Sequence, residues 1–170
     1  MSDLKPQILA LVKKTIGEIK GKTLESIPDN AIFANNLEMS NPDDIDKLVT
    51  KFSQFIRNYN KDEFVSYGDC KKLKGVDDCV KFLAQRVEKI EITKLVKEAI
   101  NKVKKIPPEK LTDTATFSAM ELTTLQKKAL AAYYTEIVQK YKPNAFIGMS
   151  ESVALKGVED SVKLVMERIK

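Results

Sequence analysis

The chain has 170 residues, with 29 basic and 24 acidic side chains and no histidine. At 43% hydrophobic content it can bury one or two modest cores, and six glycines, no tryptophan and few alternating apolar runs weigh against β-structure. The missing histidine removes the commonest general base, the Ser–His and Cys–His pairings and most zinc chemistry. There is also no glycine-rich phosphate loop or dinucleotide fingerprint, so we expect no catalytic residue, no metal site and no enzyme.

Ile8, Leu11, Val12, Thr15, Ile16 and Ile19 recur at helical spacing, which predicts a first helix over residues 5–20. A polar loop follows, kept out of helix by Pro28 and anchored by Ile27, Ala31 and Phe33. Asn41-Pro42-Asp43-Asp44 then reads as a helix start: a capping Asn, a first-turn Pro and two carboxylates favoured by the helix dipole. The second helix should bury Ile45, Leu48, Val49, Phe52 and Ile56. A short segment carrying Phe64 and Tyr67 comes next, and Gly75 introduces a last helix with Val76, Val80 and Leu83 facing inward.

The pattern then starts again. Leu11-Val12-Lys13 and Ile16 return as Leu95-Val96-Lys97 and Ile100, and Asp29, Ala31 and Phe33 return as Asp113, Ala115 and Phe117, all 84 residues on. Leu73 to Lys81 returns as Leu155 to Lys163 at an offset of 82, so the copies differ by two residues lost between Phe33 and about Leu48. Leu130, Tyr134 and Val138 match Leu48, Phe52 and Ile56, and place the start of the second copy's second helix near Thr123 or Thr124. Phe146 and Met149 match Phe64 and Tyr67. Stacked solenoid repeats have shorter periods, about 20–50 residues, and occur in threes or more. The expected organisation is two domains, 1–90 and 91–170, each with its own core. The stretch Val87 to Leu95 has no Gly or Pro, so the last helix of the first copy should run almost directly into the first helix of the second.

Cys70 and Cys79 correspond to Ser152 and Ser161, so neither thiol is needed for folding, and two reduced thiols are expected. No signal peptide or membrane-length apolar run is evident, which predicts a soluble, cytoplasmic protein without a membrane partner. The positive surplus lies in residues 91–170, with 14 basic and 10 acidic side chains, but without an Arg-rich tract or aromatic-interleaved basic groove. Nucleic acid is therefore not an expected partner.

The order of elements resembles the acyl carrier protein family: long helix, long Phe-anchored loop, capped second helix, short third segment and a Gly-Val-x-Asp-x-Val fourth helix. Leu24 to Leu37 is similar to that family's loop before the second helix, and Val76 to Leu83 to its last helix. The resemblance implies an all-α fold of two tandem acyl-carrier-like four-helix bundles joined by a short, largely helical connector. It also implies a 4'-phosphopantetheine arm on a serine that opens the second helix. Counting back from the helix core puts Pro42 at that place in the first copy and Thr124 in the second; counting forward from Phe33 leads near Asn41, beside Ser40. Proline has no nucleophile, and the family's modifying enzyme uses serine.

The expected reading is a non-catalytic tandem interaction or adaptor module without cofactor. Protein partners would dock on the second helix of either copy, near Asp43, Asp44 and Asp46 or near Lys127 and Lys128. The alternative is a working carrier of fatty-acid or polyketide synthesis, modified with 4'-phosphopantetheine at Ser40 or at Thr124. A further alternative is a non-covalent lipid binder, its cavity lined by Phe33, Phe52, Phe64 and Phe82 in one copy and by Phe117, Tyr134 and Phe146 in the other; the plainer reading is that these residues fill two small cores.

Overall fold

The computed structural model describes residues 4–39 and 41–170, and the described chain is all-α, with isolated β-bridges but no β-strand. It divides into two compact units, Met1–Glu88 and Lys89–Lys170, where the repeat had put the boundary after residue 90.

Unit 1 begins with α1, Leu4–Lys20, whose stripe Ile8, Val12 and Ile16 is fully buried. Gly21, at φ +63°, ends the helix, and the Lys22 amide donates to the Gly17 carbonyl at 3.0 Å, the closing bond of a left-handed C-terminal cap. The chain crosses through a 3₁₀ turn at Leu24–Ser26 and a wide π-type turn at Phe33–Leu37 to reach α2, Pro42–Arg57. Leu48, Phe52 and Ile56 of α2 pack into the core, while Val49 is only half-buried. The short α3, Tyr67–Lys71, starts in a capping box between Ser66 and Asp69. Burial alone would raise the Asp69 pKa, but the hydrogen bonds from Ser66 and the nearby Arg86 guanidinium outweigh it and hold the carboxyl below its ordinary value.

The fourth helix, α4, runs unbroken over Val76–Lys104. Val76, Cys79, Val80, Leu83 and Val87 are buried along its first part; the spacing then changes, and Ile92, Val96, Ala99 and Ile100 form the buried stripe of unit 2. At the helix end Lys105 takes the left-handed conformation of Gly21, with φ 62° and its amide 2.8 Å from the Asn101 carbonyl. A side chain there is strained where glycine is not. Lys105→Gly is expected to stabilise unit 2 by about 1 kcal/mol, read as an upward shift of its urea midpoint; an unchanged or lowered midpoint would count against this cap geometry.

Unit 2 continues through a 3₁₀ turn at Pro108–Lys110, then α5 (Thr124–Gln139), α6 (Met149–Ala154) and α7 (Val158–Ile169). Its core gathers Phe117, Leu130, Tyr134, Val138, Val158 and Val165 with the second part of α4.

Matched residues make matched contacts. Lys13–Asp29 pairs at 2.8 Å and Lys97–Asp113 at 2.6 Å. Arg86 reaches Asp69 as Arg168 reaches Glu151. The Ser53 hydroxyl accepts from the Val65 amide as the Thr135 hydroxyl accepts from that of Ile147. Isolated antiparallel bridges join Ile32 to Gly75 and Thr116 to Gly157.

The structure corrects one expectation about the cores. Phe64 is 62% exposed and Phe146 64%, so neither fills a core nor lines an interior cavity. The segments before α3 and α6 are extended, and alternate side chains of extended chain point to opposite faces: Val65 and Ile147 go in, which turns Phe64 and Phe146 out. Tyr67 and Met149 are exposed beside them, and Phe82 is half-buried.

Candidate functional site

The starts of α2 and α5 lie where the repeat breaks its register, and they are the places where the resemblance to carrier proteins leads one to look for a prosthetic arm. In unit 1 the π-type turn ends at Glu38, which is left-handed at φ 49°, followed by the buried Met39. Asn41 caps α2, its side chain accepting from the Asp43 amide at 3.1 Å, and Pro42 takes the first helical position. The Lys20 ammonium crosses behind this tip, donating to the Glu38 carbonyl at 3.1 Å and to the Asp44 carboxylate at 3.0 Å.

In unit 2 the same structure is built with other residues. Glu121 is left-handed at φ 52°, Leu122 is buried, and the Lys104 ammonium donates to the Glu121 carbonyl at 3.0 Å. Thr123 caps α5 in a reciprocal box: its hydroxyl accepts from the Gln126 amide at 3.2 Å, and its own amide donates to the Gln126 carboxamide oxygen at 3.0 Å. Gln126, at the position of Asp44, also turns back and donates to the Val103 carbonyl at 3.0 Å. Thr124 holds the first helical position with an exposed side chain.

These landmarks locate both residues of the length difference. The Met39 amide donates to the Phe33 carbonyl six residues back, whereas the Leu122 amide reaches Phe117 over five, so the wider turn of unit 1 takes up one residue. Met39 then matches Leu122 and Asn41 matches Thr123, which leaves Ser40 as the residue without a counterpart. Ser40 itself lies outside the described residues.

The proposed docking charges separate into those that face water and those that do not. Asp43 and Asp46 are exposed on α2, and Lys128 on α5. Asp44 is not a surface group: it lies four residues before Leu48, on the inward stripe, and is 6% exposed in its ion pair with Lys20. Lys127 is half-buried, its ammonium 5.6 Å from the Phe117 ring centroid and its carbonyl accepting from Ser152.

The outer helix faces have diverged. On α2 the exposed positions Asp43, Asp46, Lys47 and Thr50 are polar; the matched positions on α5 are Leu125, Lys128, Ala129 and Ala132. Leu125 is 78% exposed, an apolar group that the charge-based reading passed over; a comparison of the copies position by position would have found it.

Cys70 and Cys79 are free and buried. Burial pushes the Cys70 thiol up to about 12, with the Asp69 carboxylate adding to the effect, and burial raises Cys79 likewise. Among the described residues, no group of three or more His, Cys, Asp or Glu side chains is placed to hold a metal ion, and no helix is long and apolar enough to cross a membrane. Comparisons with protein-family models, with curated proteins and with solved structures find no match to this chain.

Proposed function

We propose that the chain is a non-catalytic pair of acyl-carrier-like bundles that works as a protein-interaction or adaptor module and carries no prosthetic arm. The observation that carries this reading is the residue at the first position of each second helix. Pro42 has no hydroxyl, Thr124 offers a secondary one, and Ser40 matches nothing in the other copy. An arm added at one fixed place needs its hydroxyl in constant register with the helix start, where backbone N–H groups favour a phosphate. The copies keep the caps and the buried anchors but do not keep that register.

A second support is the divergence of the outer faces. An exposed Leu125 beside Ala129 and Ala132 gives a close-packing apolar stripe with Lys128 at its edge, while α2 presents carboxylates and a lysine. Two unlike faces on one chain can hold two partners, or two parts of one, at raised effective concentration.

Mass spectrometry after co-expression with a broad-specificity phosphopantetheinyl transferase tests the missing arm, and the unmodified mass is expected. A gain of about 340 Da, removed by Ser40→Ala or by Thr124→Ala, overturns the reading and makes the protein a working carrier. The docking role is tested by affinity capture with wild type and Leu125→Asp. The substitution should abolish capture of specific partners without moving the melting curve, and identical capture by both proteins counts against the α5 face.

A further inference from the structure

We propose that unit 2 binds a small amphiphilic monoanion, a carboxylate with a hydrocarbon tail, in the cleft between the start of its α4 segment and α7. The cleft has a volume of about 470 Å³, within the range of roughly 300–1,000 Å³ that small-molecule sites occupy. It lies apart from the helix tips and does not depend on the docking role proposed above.

The floor comes from successive turns of one helix. Val158, Val162 and Met166 stand four residues apart on α7 and face Thr93 of α4. At 1.5 Å per residue they span about 12 Å along the helix. Val158 is fully buried and Val162 5% exposed, so the apolar surface open to a ligand is Met166, the edge of Val162 and the stems of the bordering lysines. Val158 and Val162 belong to the packed core, so the floor is rigid, whereas Met166 is half-buried and has the flexible thioether that adapts to a ligand.

The rim sets the sign of the ligand. Lys89 and Lys163 border the cleft from α4 and α7, and their alkyl stems can lie along the apolar floor while the ammonium groups stay in water. Asp113 also borders it, but its carboxylate is held by Lys97 at 2.6 Å. Glu159 is the remaining charge; among the described residues no ion pair neutralises it, Lys89 or Lys163. The balance is one positive charge over an apolar surface, which suits a singly charged anionic head with a tail.

The first copy supplies an internal control. Lys5, Asp77, Val80 and Lys81 match Lys89, Glu159, Val162 and Lys163, but Ala84 replaces Met166 and Leu9 replaces Thr93. A cleft of about 220 Å³ in unit 1 is lined by Asp77 and Lys81 with Asn30, Ala31, Ile32 and Lys74, and not by Lys5, Leu9, Val80 or Ala84, so the counterparts of the α4–α7 floor do not line it.

The test is calorimetric titration of the full chain with dodecanoate below its micellar concentration, with the methionine methyl resonances followed in parallel. One saturable site is expected, with the Met166 methyl shifting. Dodecyltrimethylammonium, with the same tail and the opposite charge, should bind at least about tenfold more weakly, as expected when charge-assisted contacts become repulsive. Lys89→Glu with Lys163→Glu should weaken dodecanoate binding by a similar factor while leaving the melting curve in place; Lys5→Glu with Lys81→Glu should change neither. No saturable binding, equal binding of the cationic amphiphile, or indifference to the Lys89 and Lys163 reversals each overturns the proposal. Uptake of an apolar peptide with no uptake of dodecanoate overturns it too.

Discussion

Gly157→Ala is expected to destabilise unit 2 by about 3 kcal/mol or more, and Gly75→Ala to do the same to unit 1. Each glycine lies where the chain entering the last helix crosses the loop before the second helix. The Val158 amide donates to the Ala115 carbonyl at 3.0 Å, and the Phe117 amide to the Lys156 carbonyl at 2.8 Å. In unit 1 the same crossing joins Val76 to Ala31 and Phe33 to Lys74. A Cβ on Gly157 would come under 3.0 Å from the Ala115 carbonyl oxygen and 3.1 Å from the Thr116 Cα; on Gly75 it would meet Ala31 in the same way. Those neighbours are backbone and cannot rotate aside. Overpacking costs about 1–3 kcal/mol, and separating the two crossing segments gives up two backbone hydrogen bonds at about 1 kcal/mol each. Urea unfolding, with hydrogen exchange at Phe33 and Phe117 to report which unit has weakened, measures the effect. Gly68→Ala is the control, since its Cβ would find only the Ser66 oxygen at 3.8 Å. If Gly157→Ala and Gly75→Ala unfold at the wild-type midpoint, the crossing is not built as described.

The spacing of the apolar residues made these helices legible. α1, α2 and α7 each bury a stripe and expose the rest, and periodicity finds such helices directly. The continuity of α4 was legible for a different reason: nothing between Val87 and Leu95 can stop a helix. The crossing at Gly75 and Gly157 was not legible, because it depends on residues far apart in the chain that share no local pattern. Phe64 and Phe146 show a related limit. Their match between copies was plain in the sequence, but a match does not say which way an extended side chain points. The buried neighbours Val65 and Ile147 decide it, by alternation.

At the helix tips, the caps Asn41 and Thr123 could be read from residue type, since each side chain has its acceptor at the right place. The inward turn of Asp44 was available from its spacing to Leu48, but its acidic character in a first helical turn drew it to the surface in the reading. Its partner Lys20 comes from another helix, and no local rule connects the two. The same holds for Gln126, which occupies the place of Asp44 and satisfies the Val103 carbonyl instead. The loss of register at Ser40 became traceable only when the left-handed residues Glu38 and Glu121 fixed a common landmark on each side of it.

The two cores differ by a coupled pair of hydroxyls, and exchanging that pair should show strong non-additivity. In unit 2 the Tyr134 hydroxyl donates to the Ser161 oxygen at 3.0 Å, and the Ser161 hydroxyl donates to the Gly157 carbonyl at 2.7 Å; both residues are fully buried. The matched residues in unit 1 are Phe52 and Cys79, so there both hydroxyls are missing together. Ser161→Cys alone leaves the buried phenol without a good acceptor and should cost about 1–3 kcal/mol. Tyr134→Phe alone should cost about 1 kcal/mol, because Ser161 keeps its bond to Gly157. Tyr134→Phe with Ser161→Cys, which recreates the unit 1 pair, should cost less than the two singles combined, with a coupling of about 1–2 kcal/mol in urea unfolding. Alkali supplies an independent readout. Burial raises the Tyr134 phenol well above its ordinary range, with the Ser161 bond offsetting only part of the shift. The folded state therefore holds a proton that the unfolded chain releases near pH 10, so its contribution to stability is complete below about pH 10 and is lost as pH rises from there toward the folded value. Tyr134→Phe should lose less stability than wild type over that alkaline range. Strict additivity in the cycle, together with identical alkaline melting of the two proteins, would show that the hydroxyls are not coupled in the core.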